Sequence, residues 1–580
     1  MRIQALAVPV ALVMALTVTG TSSASLDVHN GRFDQPRYGF APPDTALRPG
    51  SPDSAGLDPG PIDAYLERLA RWEDPANGAG YLFPGATALM AHDGVVVSRS
   101  ASGYAVKYAD ANTELPRDQW IPARTDTIYD LASLSKLFTS IVAVQQIEAG
   151  RLDLDATVAS YIPEFAVNDK AKITVEQLLT HTSGLPADPS PPLWQAYPDI
   201  ASREKAILDT KPINPAGTTY LYSDLNMLSM QLVLRRVTGE PLDALVRKGI
   251  TGPLHMVDTG YNPPPEKLTR IAATEYQVTP ARGMLRGSVH DENAWAMGGV
   301  AGHAGVFSTV DDLAVLAQAI LNGGTYGGNR ILSEQSVRLL ETNFNQNFPG
   351  DAHGLGFELD QIWYMGGLSS PSTVGHTGYT GTSIVIDPQS RSFAILLTNR
   401  VHPTRNTPST NPARETIATA LAQSMHVLPP GGGRSWFASQ PGGTTSTLTS
   451  IPLPTHGVAE VSFLAFVNTE PTDVLALQES TDGGSTWQPA ALTVQGPAAP
   501  VGTTTTLSGQ ATRAWWFVRA TLAAAPAGVV LRWSYATDPL YEGRGVNLAH
   551  LRVADSGSIL LDSDRDEASL TSAGWRELTG

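Results

Sequence analysis

The chain has 580 residues, 16% charged and 42% hydrophobic, with 39 Lys and Arg against 55 Asp and Glu, a net charge of -16. That length and balance suit two or more folded domains and exclude disorder over most of the chain, while the acidic surplus argues against nucleic acid or anionic membrane as a general partner. Cysteine is absent, which excludes a disulfide framework, a thiolate metal site and a lipid-attachment cysteine.

Arg2, the mostly apolar stretch from Ala5 to Val18 and the small residues Ser22, Ser23 and Ala24 follow the plan of a secretory signal peptide. The mature chain is expected to start near Ser25 and to be extracellular, with no membrane contact once residues 1-24 are removed. The alternative, an anchor helix, needs a longer apolar run. A loop-rich, proline-containing segment occupies 25-51. Ile62 to Trp72 reads as a helix, and Gly85 to Ala91 and Val95 to Ser100, about His92-Asp93-Gly94, read as a β-hairpin.

Thr127 to Leu321 is largely helical in pattern, broken by turns such as Ser183-Gly184-Leu185-Pro186. Ser372 to Thr380, Thr382 to Asp387 and Ser392 to Thr398 suggest an antiparallel meander, and Ala413 to Met425 a closing helix. Strands at both ends and helices between them predict an α/β domain over 52-427, one antiparallel sheet flanked by helices with a helical lobe inserted. Leu428-Pro429-Pro430-Gly431-Gly432-Gly433 resists regular structure and marks a linker, 428-433. Residues 434-580 are rich in Thr, Val and Trp, with period two at Val461, Phe463, Ala465 and Val467 and a turn at Asp482-Gly483-Gly484. They predict a C-terminal all-β sandwich.

Ser133-Leu134-Ser135-Lys136 is the most informative run. Leu134, Leu137, Phe138, Ile141, Val142, Val144 and Ile147 recur at three- and four-residue steps up to Gly150, so Ser133 is expected at the N-terminal end of a buried helix with Lys136 on the same face. A hydroxyl placed there, beside an amine and the positive end of the helix dipole, is an activated nucleophile. Ser202-Arg203-Glu204-Lys205 has the same spacing, but its charged interior fits an exposed helix face. Tyr220-Leu221-Tyr222-Ser223-Asp224-Leu225-Asn226 offers a phenol to relay a proton and a carboxylate to hold the ammonium. Gly375-His376-Thr377-Gly378-Tyr379-Thr380-Gly381 is a glycine-flanked strand able to present an amide to an oxyanion.

With these three in this order, the chain resembles the serine penicillin-recognising superfamily, closest to its class C β-lactamase and serine esterase branch, over about residues 52 to 427. The elements S-x-x-K, Y-x-N and K/H-T-G match Ser133 to Lys136, Tyr222 to Asp224 and His376 to Gly378, and Leu178 to Pro186 looks like a loop of the same branch. The resemblance implies that Ser133 forms an acyl-enzyme, that Lys136 and Tyr222 share base and acid duties, that the amides of Ser133 and Tyr379 stabilise the oxyanion, and that Asp224, His376, Thr377, Gly378 and Tyr379 line the substrate site. No cofactor and no metal are expected.

Two departures carry information. Asp224 stands where the family has asparagine, and a carboxylate beside Lys136 would keep that lysine charged. His376 replaces a permanent cation with a group titrating near ~6.5, which predicts a weak grip on a substrate carboxylate. Arg400 could supply that charge. His290, Asp291, Glu292 and His303, in the polar, glycine-rich stretch Gly287 to Gly305, lack zinc-site spacing and read as hydrogen-bonding groups of a substrate-facing loop, and His181 reads as a structural donor.

The module at 434-580 resembles jelly-roll domains appended to secreted bacterial peptidases, which suggests contact with wall or matrix. Its tryptophans read as core, and its acidic run Asp562 to Glu567 as a solvated turn rather than a calcium site. The expected function is a secreted serine hydrolase acting on ester or amide substrates, small or peptidoglycan-derived. A muropeptide amidase or D,D-peptidase is the first alternative, and a penicillin-binding sensor that acylates without turnover is the second.

Overall fold

A computed structural model describes residues 31–439, 442–510 and 512–579; the expected signal peptide lies outside them. No helix among the described residues is long and apolar enough to cross a membrane. Helix α1 (Pro59–Trp72) begins where the Asp58 side chain accepts from the Gly60 amide and Pro59 presets the first turn. Hairpin strands β1 (Gly85–His92) and β2 (Val95–Val106) are joined at Asp93 and Gly94, both at positive φ, the backbone that a two-residue hairpin turn demands. Strands β3 (Val374–Thr377), β4 (Ser383–Asp387) and β5 (Ser392–Thr398) form the expected antiparallel meander, and β5 pairs with β1, Ile395 opposite Leu89. Chain segments from both ends of the domain therefore complete one sheet.

Side chains on a strand alternate between faces, and here both faces are covered. Leu89 and Ala91 of β1, Ile384 and Ile386 of β4, and Phe393, Ile395 and Leu397 of β5 join the core built by helices α2 (Ser135–Glu148), α3 (Asp224–Thr238) and α5 (Val310–Leu321). Ala88, Met90, Val385, Ala394 and Leu396 point the other way, into a core shared with α1 and the closing helix α6 (Asn411–Ser424). Burial on both sides explains the near-continuous apolar runs of these strands. Between α3 and α5 lies the short helix α4 (Glu292–Ala296), capped by Asp291.

The C-terminal module is a sandwich of two antiparallel sheets. One contains β6 (Arg434–Ala438), β8 (Ala459–Asn468), β10 (Trp515–Leu522) and β12 (Gly545–Asp555). The other contains β7 (Thr445–Ser450), β9 (Val474–Ser480) and β11 (Ala525–Ala536). Val461, Phe463, Ala465 and Val467 point into its core, together with Trp436, Trp516, Trp533 and Trp575. Trp487 is only half-buried and carries the Arg532 guanidinium 3.9 Å from its ring. The acidic run is a hydrogen-bonded turn, with Asp562 accepting from the Asp564 amide and Asp564 bound to His550.

The linker residues have no regular structure but are pinned: the Leu428 amide and the Trp515 indole both donate to Asp34, and Trp515 donates also to the Leu428 carbonyl. Two arginines of the module enter the other domain. Arg513 pairs with Asp387 at 2.6 Å, with both side chains buried, and donates to the Leu368 carbonyl. Arg544 donates to the carbonyls of Ala422 and Met425 at the C-terminal end of α6, where a cation meets the negative end of the helix dipole.

The same joint gathers carboxylates. Glu415 of α6 accepts from the Glu542 amide, and its pKa is pushed up to about 8, chiefly by burial and further by Glu542 and Glu470. Burial, with Glu470 and Asp538 nearby, raises Asp473 to about 7. A carboxyl whose pKa is higher folded than unfolded gives the folded state the extra proton between the two values, so stability falls as pH rises through that window. Thermal unfolding is expected to move down by several degrees from pH 6 to pH 8.5, and Glu415→Gln to flatten that slope; equal slopes in parent and variant would contradict the assignment.

Candidate functional site

Ser133 lies in a 3-10 turn, Ala132–Leu134, that leads into α2, so it precedes the first α-helical residue rather than occupying the helix itself. Ala132 holds φ at 49°, a strained value for a residue with a β-carbon. The turn is held from both sides: Asp130 accepts from the Ala132 amide at 2.9 Å and from the His290 amide at 2.6 Å. Packing of α2 into the core leaves Lys136 1% exposed, and its ammonium donates to Ser133 Oγ at 3.0 Å.

Three segments far apart in sequence meet at this lysine. Asp224, the first residue of α3, places Oδ1 2.7 Å from Lys136 Nζ. Tyr222 presents its ring 4.6 Å from the same nitrogen. The His303 carbonyl accepts from Lys136 at 3.4 Å. Burial opposes the lysine's charge, but Asp224 and Tyr222 outweigh it and hold its pKa above the ordinary range. Burial pushes the Tyr222 phenol up to about 12 against the pull of Lys136. The centre at rest is thus an ammonium beside a neutral phenol and a neutral serine.

The loop from Leu178 to Pro186 orders Tyr222. His181 Nδ1 accepts from the Ser223 amide at 3.1 Å and lies 3.0 Å from Asn226 Nδ2, and its ring packs on Tyr222 with centroids 4.7 Å apart. His181 is structural in this geometry, and burial, then His353 and Lys136, keep its pKa well below the ordinary value. Asp224 donates its amide to the Ala187 carbonyl, which fixes the start of α3.

The strand bearing His376 is pressed onto the serine turn. Thr380 and Thr382 donate to the carbonyls of Asp130 and Leu131, at 2.7 and 2.9 Å. A β-carbon at Gly378 would come within 2.3 Å of the Leu131 carbonyl, so glycine is required here by the protein's own backbone. Arg414 of α6 braces the strand from behind through the Gly378 carbonyl at 2.5 Å. Tyr379 is 49% exposed and stacks on His290 with centroids 5.7 Å apart, with Arg400 5.3 Å from its ring.

His376 departs from expectation. It is 1% exposed, its Nδ1 donates to the Thr377 carbonyl at 2.7 Å, and its Nε2 has no hydrogen-bond partner among the described residues. Burial, and next the Lys136 charge, push its pKa down to about 3 rather than leaving it near ~6.5. It is therefore neutral across the physiological range. Asp224 holds the Lys136 ammonium, the part expected of its carboxylate, while Thr377 is half-buried and Tyr379 faces outward.

Two of the residues expected to be hydrogen-bonding groups of a loop adjoin the centre itself. His303 and Asp291 form a pair at 2.9 Å, and one acceptor atom from each lies within 4.8 Å of Asp224. The three together have the donor set of a small metal site, but Lys136 already neutralises Asp224. His290 is bound to Glu275 at 3.0 Å, and Glu275 and Glu292 both pair with Arg405. The polar stretch from Gly287 to Gly305 is thus a hydrogen-bonded network against the serine turn.

A beta-lactamase family model matches residues 68–419. A provisionally named D-alanyl-D-alanine carboxypeptidase of Salmonella agona is 35% identical over 403 residues, covering 64% of this chain and 90% of the relative, and a counterpart from Salmonella typhimurium aligns with the same identity and coverage. The solved structure of a penicillin-binding protein homologue from Caulobacter crescentus has a TM-score of 0.49 and 23% identity, over 64% of this chain and 99% of that one. The chain belongs to the beta-lactamase family, within the serine penicillin-recognising superfamily, and is a serine hydrolase of that type.

Proposed function

We propose that the protein is an exported enzyme that moves the acyl group of an ester or amide onto Ser133 and then onto water. The observation that carries this reading is Ser133 Oγ at 3.0 Å from Lys136 Nζ, with the Tyr222 ring 4.6 Å from that nitrogen. Once the Lys136–Tyr222 couple has given one proton to solvent, Oγ bonds to the acyl carbon as its own proton passes into that couple; the acyl–oxygen or acyl–nitrogen bond then breaks and the proton leaves with the departing alkoxide or amine. Water repeats the sequence on the acyl ester. The amides of Ser133 and Tyr379 hold the oxyanion in this reading. Because Lys136 and Tyr222 both hold their protons at rest, turnover is expected to climb with pH through neutrality.

Substrate choice follows from His376. A neutral, buried imidazole gives no charge to a substrate carboxylate, so uncharged esters and amides are favoured over penicillins. One lost charged hydrogen bond corresponds to roughly ten- to hundredfold in rate. A second reading, a D,D-peptidase acting on peptidoglycan peptides, is favoured by Arg400, whose guanidinium lies over Tyr379, and by the name of the Salmonella relatives. The leader-like N-terminus supports export, and contact of the C-terminal module with wall or matrix belongs to the same proposal.

Assay of the purified protein with p-nitrophenyl acetate, nitrocefin at pH 7.5 and a D-Ala-D-Ala peptide distinguishes these readings. The expected result is steady ester turnover, nitrocefin hydrolysis slower by about a hundredfold, and an acyl adduct on the peptide containing Ser133. Rapid nitrocefin hydrolysis would overturn the substrate reading, faster turnover of the peptide would favour the D,D-peptidase, and a stoichiometric burst without turnover would favour a sensor.

A further inference from the structure

His303 enters the centre through a wedge. The residue before it, Gly302, sits between the two helices that carry the catalytic candidates: its carbonyl accepts from Thr139 of α2 at 2.8 Å, and its amide donates to Gln231 of α3 at 2.9 Å. A β-carbon there would lie 2.1 Å from the Met227 carbonyl, so the wedge is closed to any larger residue without movement of α3. The imidazole that follows is 1% exposed. Its Nε2 is 2.9 Å from Asp291 Oδ1, and that oxygen also caps α4 through the Ala294 amide at 2.7 Å. Asp291 is thereby fixed by a helix, and His303 by Asp291.

The charged groups facing this imidazole are Asp291 from the α4 cap, Asp224 from α3, Lys136 from α2 and, farther out, Asp188 from the loop after Pro186. Asp224 therefore has Lys136 at 2.7 Å and a ring nitrogen of His303 within 4.8 Å. We propose that His303 is a positioning residue of the serine centre: clamped by Asp291, it shares the Asp224 carboxylate with Lys136 and so sets how tightly the Lys136–Tyr222 couple holds its proton. This rests on the reading of Ser133 as the nucleophile given above.

The physical sense has one sign for both members of the couple. A neighbouring positive charge makes an ammonium easier to deprotonate and a phenol easier to ionise. Burial works against a charge on His303, but Asp291 and Asp224 raise its pKa above the ordinary histidine value, which keeps the imidazolium populated near neutrality. Losing it leaves Asp224 wholly to Lys136, and both proton-holding groups become weaker acids.

The test is His303→Gln, which keeps a donor for Asp291 but no charge, assayed as kcat/KM for p-nitrophenyl acetate against pH. The ascending limb is expected to move up by about one pH unit, with roughly a tenfold loss at neutral pH, carried by kcat with KM unchanged. In an Asp224→Asn background the same substitution is expected to have a clearly smaller effect, because the shared carboxylate is gone and only the direct repulsion of Lys136 is left to lose. A profile that superimposes on the parent's, or an equal loss in both backgrounds, overturns the inference. Should His303→Gln fail to fold, Asp291→Asn weakens the imidazolium in place and must shift the limb in the same direction; an unmoved limb again overturns it. Ser133→Ala separates the two readings: retained turnover there sinks the account of the centre, whereas an inactive Ser133→Ala with an unmoved His303→Gln profile sinks the role of His303 alone.

Discussion

Lys136→Ala is expected to lower ester turnover by at least about a thousandfold, since groups that act together on one nucleophile lose nearly the whole of their joint effect when one is removed. The size follows from the crowding of roles on a single nitrogen. Lys136 Nζ contacts Ser133 Oγ, Asp224 and the His303 carbonyl and adjoins the Tyr222 ring, so its loss removes the serine's proton partner and the charge that favours a phenolate. It also leaves Asp224 without its nearest cation, and part of the loss in that variant would be rearrangement. Lys136→Arg resolves this. It retains a positive charge beside Asp224, but a guanidinium does not give up its proton in this range, so its turnover is expected to be as low as that of the alanine variant while Tm stays closer to the parent's. Turnover within tenfold of the parent in Lys136→Arg would show that the amine acts only as a charge.

Arg513→Ala is expected to destabilise the protein by about 3–5 kcal/mol, the usual consequence of stranding one member of a buried ion pair. Asp387 ends β4, an inner strand of the α/β sheet, fully buried, and among the described residues keeps hydroxyl and amide donors from Ser390, Gln389 and Thr373 once the guanidinium is gone. Arg513 also donates to the Leu368 carbonyl and lies 4.1 Å from the Phe33 ring, so the truncation opens a gap as well. Denaturant unfolding is the measurement. Replacing both partners by apolar residues, Asp387→Leu with Arg513→Met, is expected to recover most of the loss, because the cost comes from the orphaned charge and not from the missing attraction. Equal destabilisation by the single and double variants would refute that explanation. Since the pair joins the two domains, the single variant is also expected to uncouple their unfolding into two transitions.

Local pattern made the sheet and its helices legible. The period-two runs, the Asp93-Gly94 turn and the three- and four-residue steps from Leu134 to Ile147 each specify an element from neighbours in sequence, and the hairpin, the meander and α2 lie where those patterns put them. Ser133 with Lys136, and Tyr222 with Asp224, were legible as two short motifs, each from residue types a few positions apart, and the structure brings the two together at Lys136 Nζ. One reading fails to carry over. The sequence implies an ordinary pKa for His376, but burial and the nearest charge decide it, and both are set by segments far away in the chain. Likewise, the glycine at 378 answers to the Leu131 carbonyl and not to a ligand.

The amino-acid order alone determined which elements form, that α/β and all-β parts follow one another, and which hydroxyl is the nucleophile candidate, since periodicity and turn chemistry act over a few residues. Tertiary structure alone decided that His376 is uncharged, that Asp291 and His303 stand beside the Lys136–Asp224 pair, and that Arg513 and Arg544 lock the module onto α6 and β4. Electrostatic character depends on distance and on exclusion of water, and neither exists until remote segments have packed together.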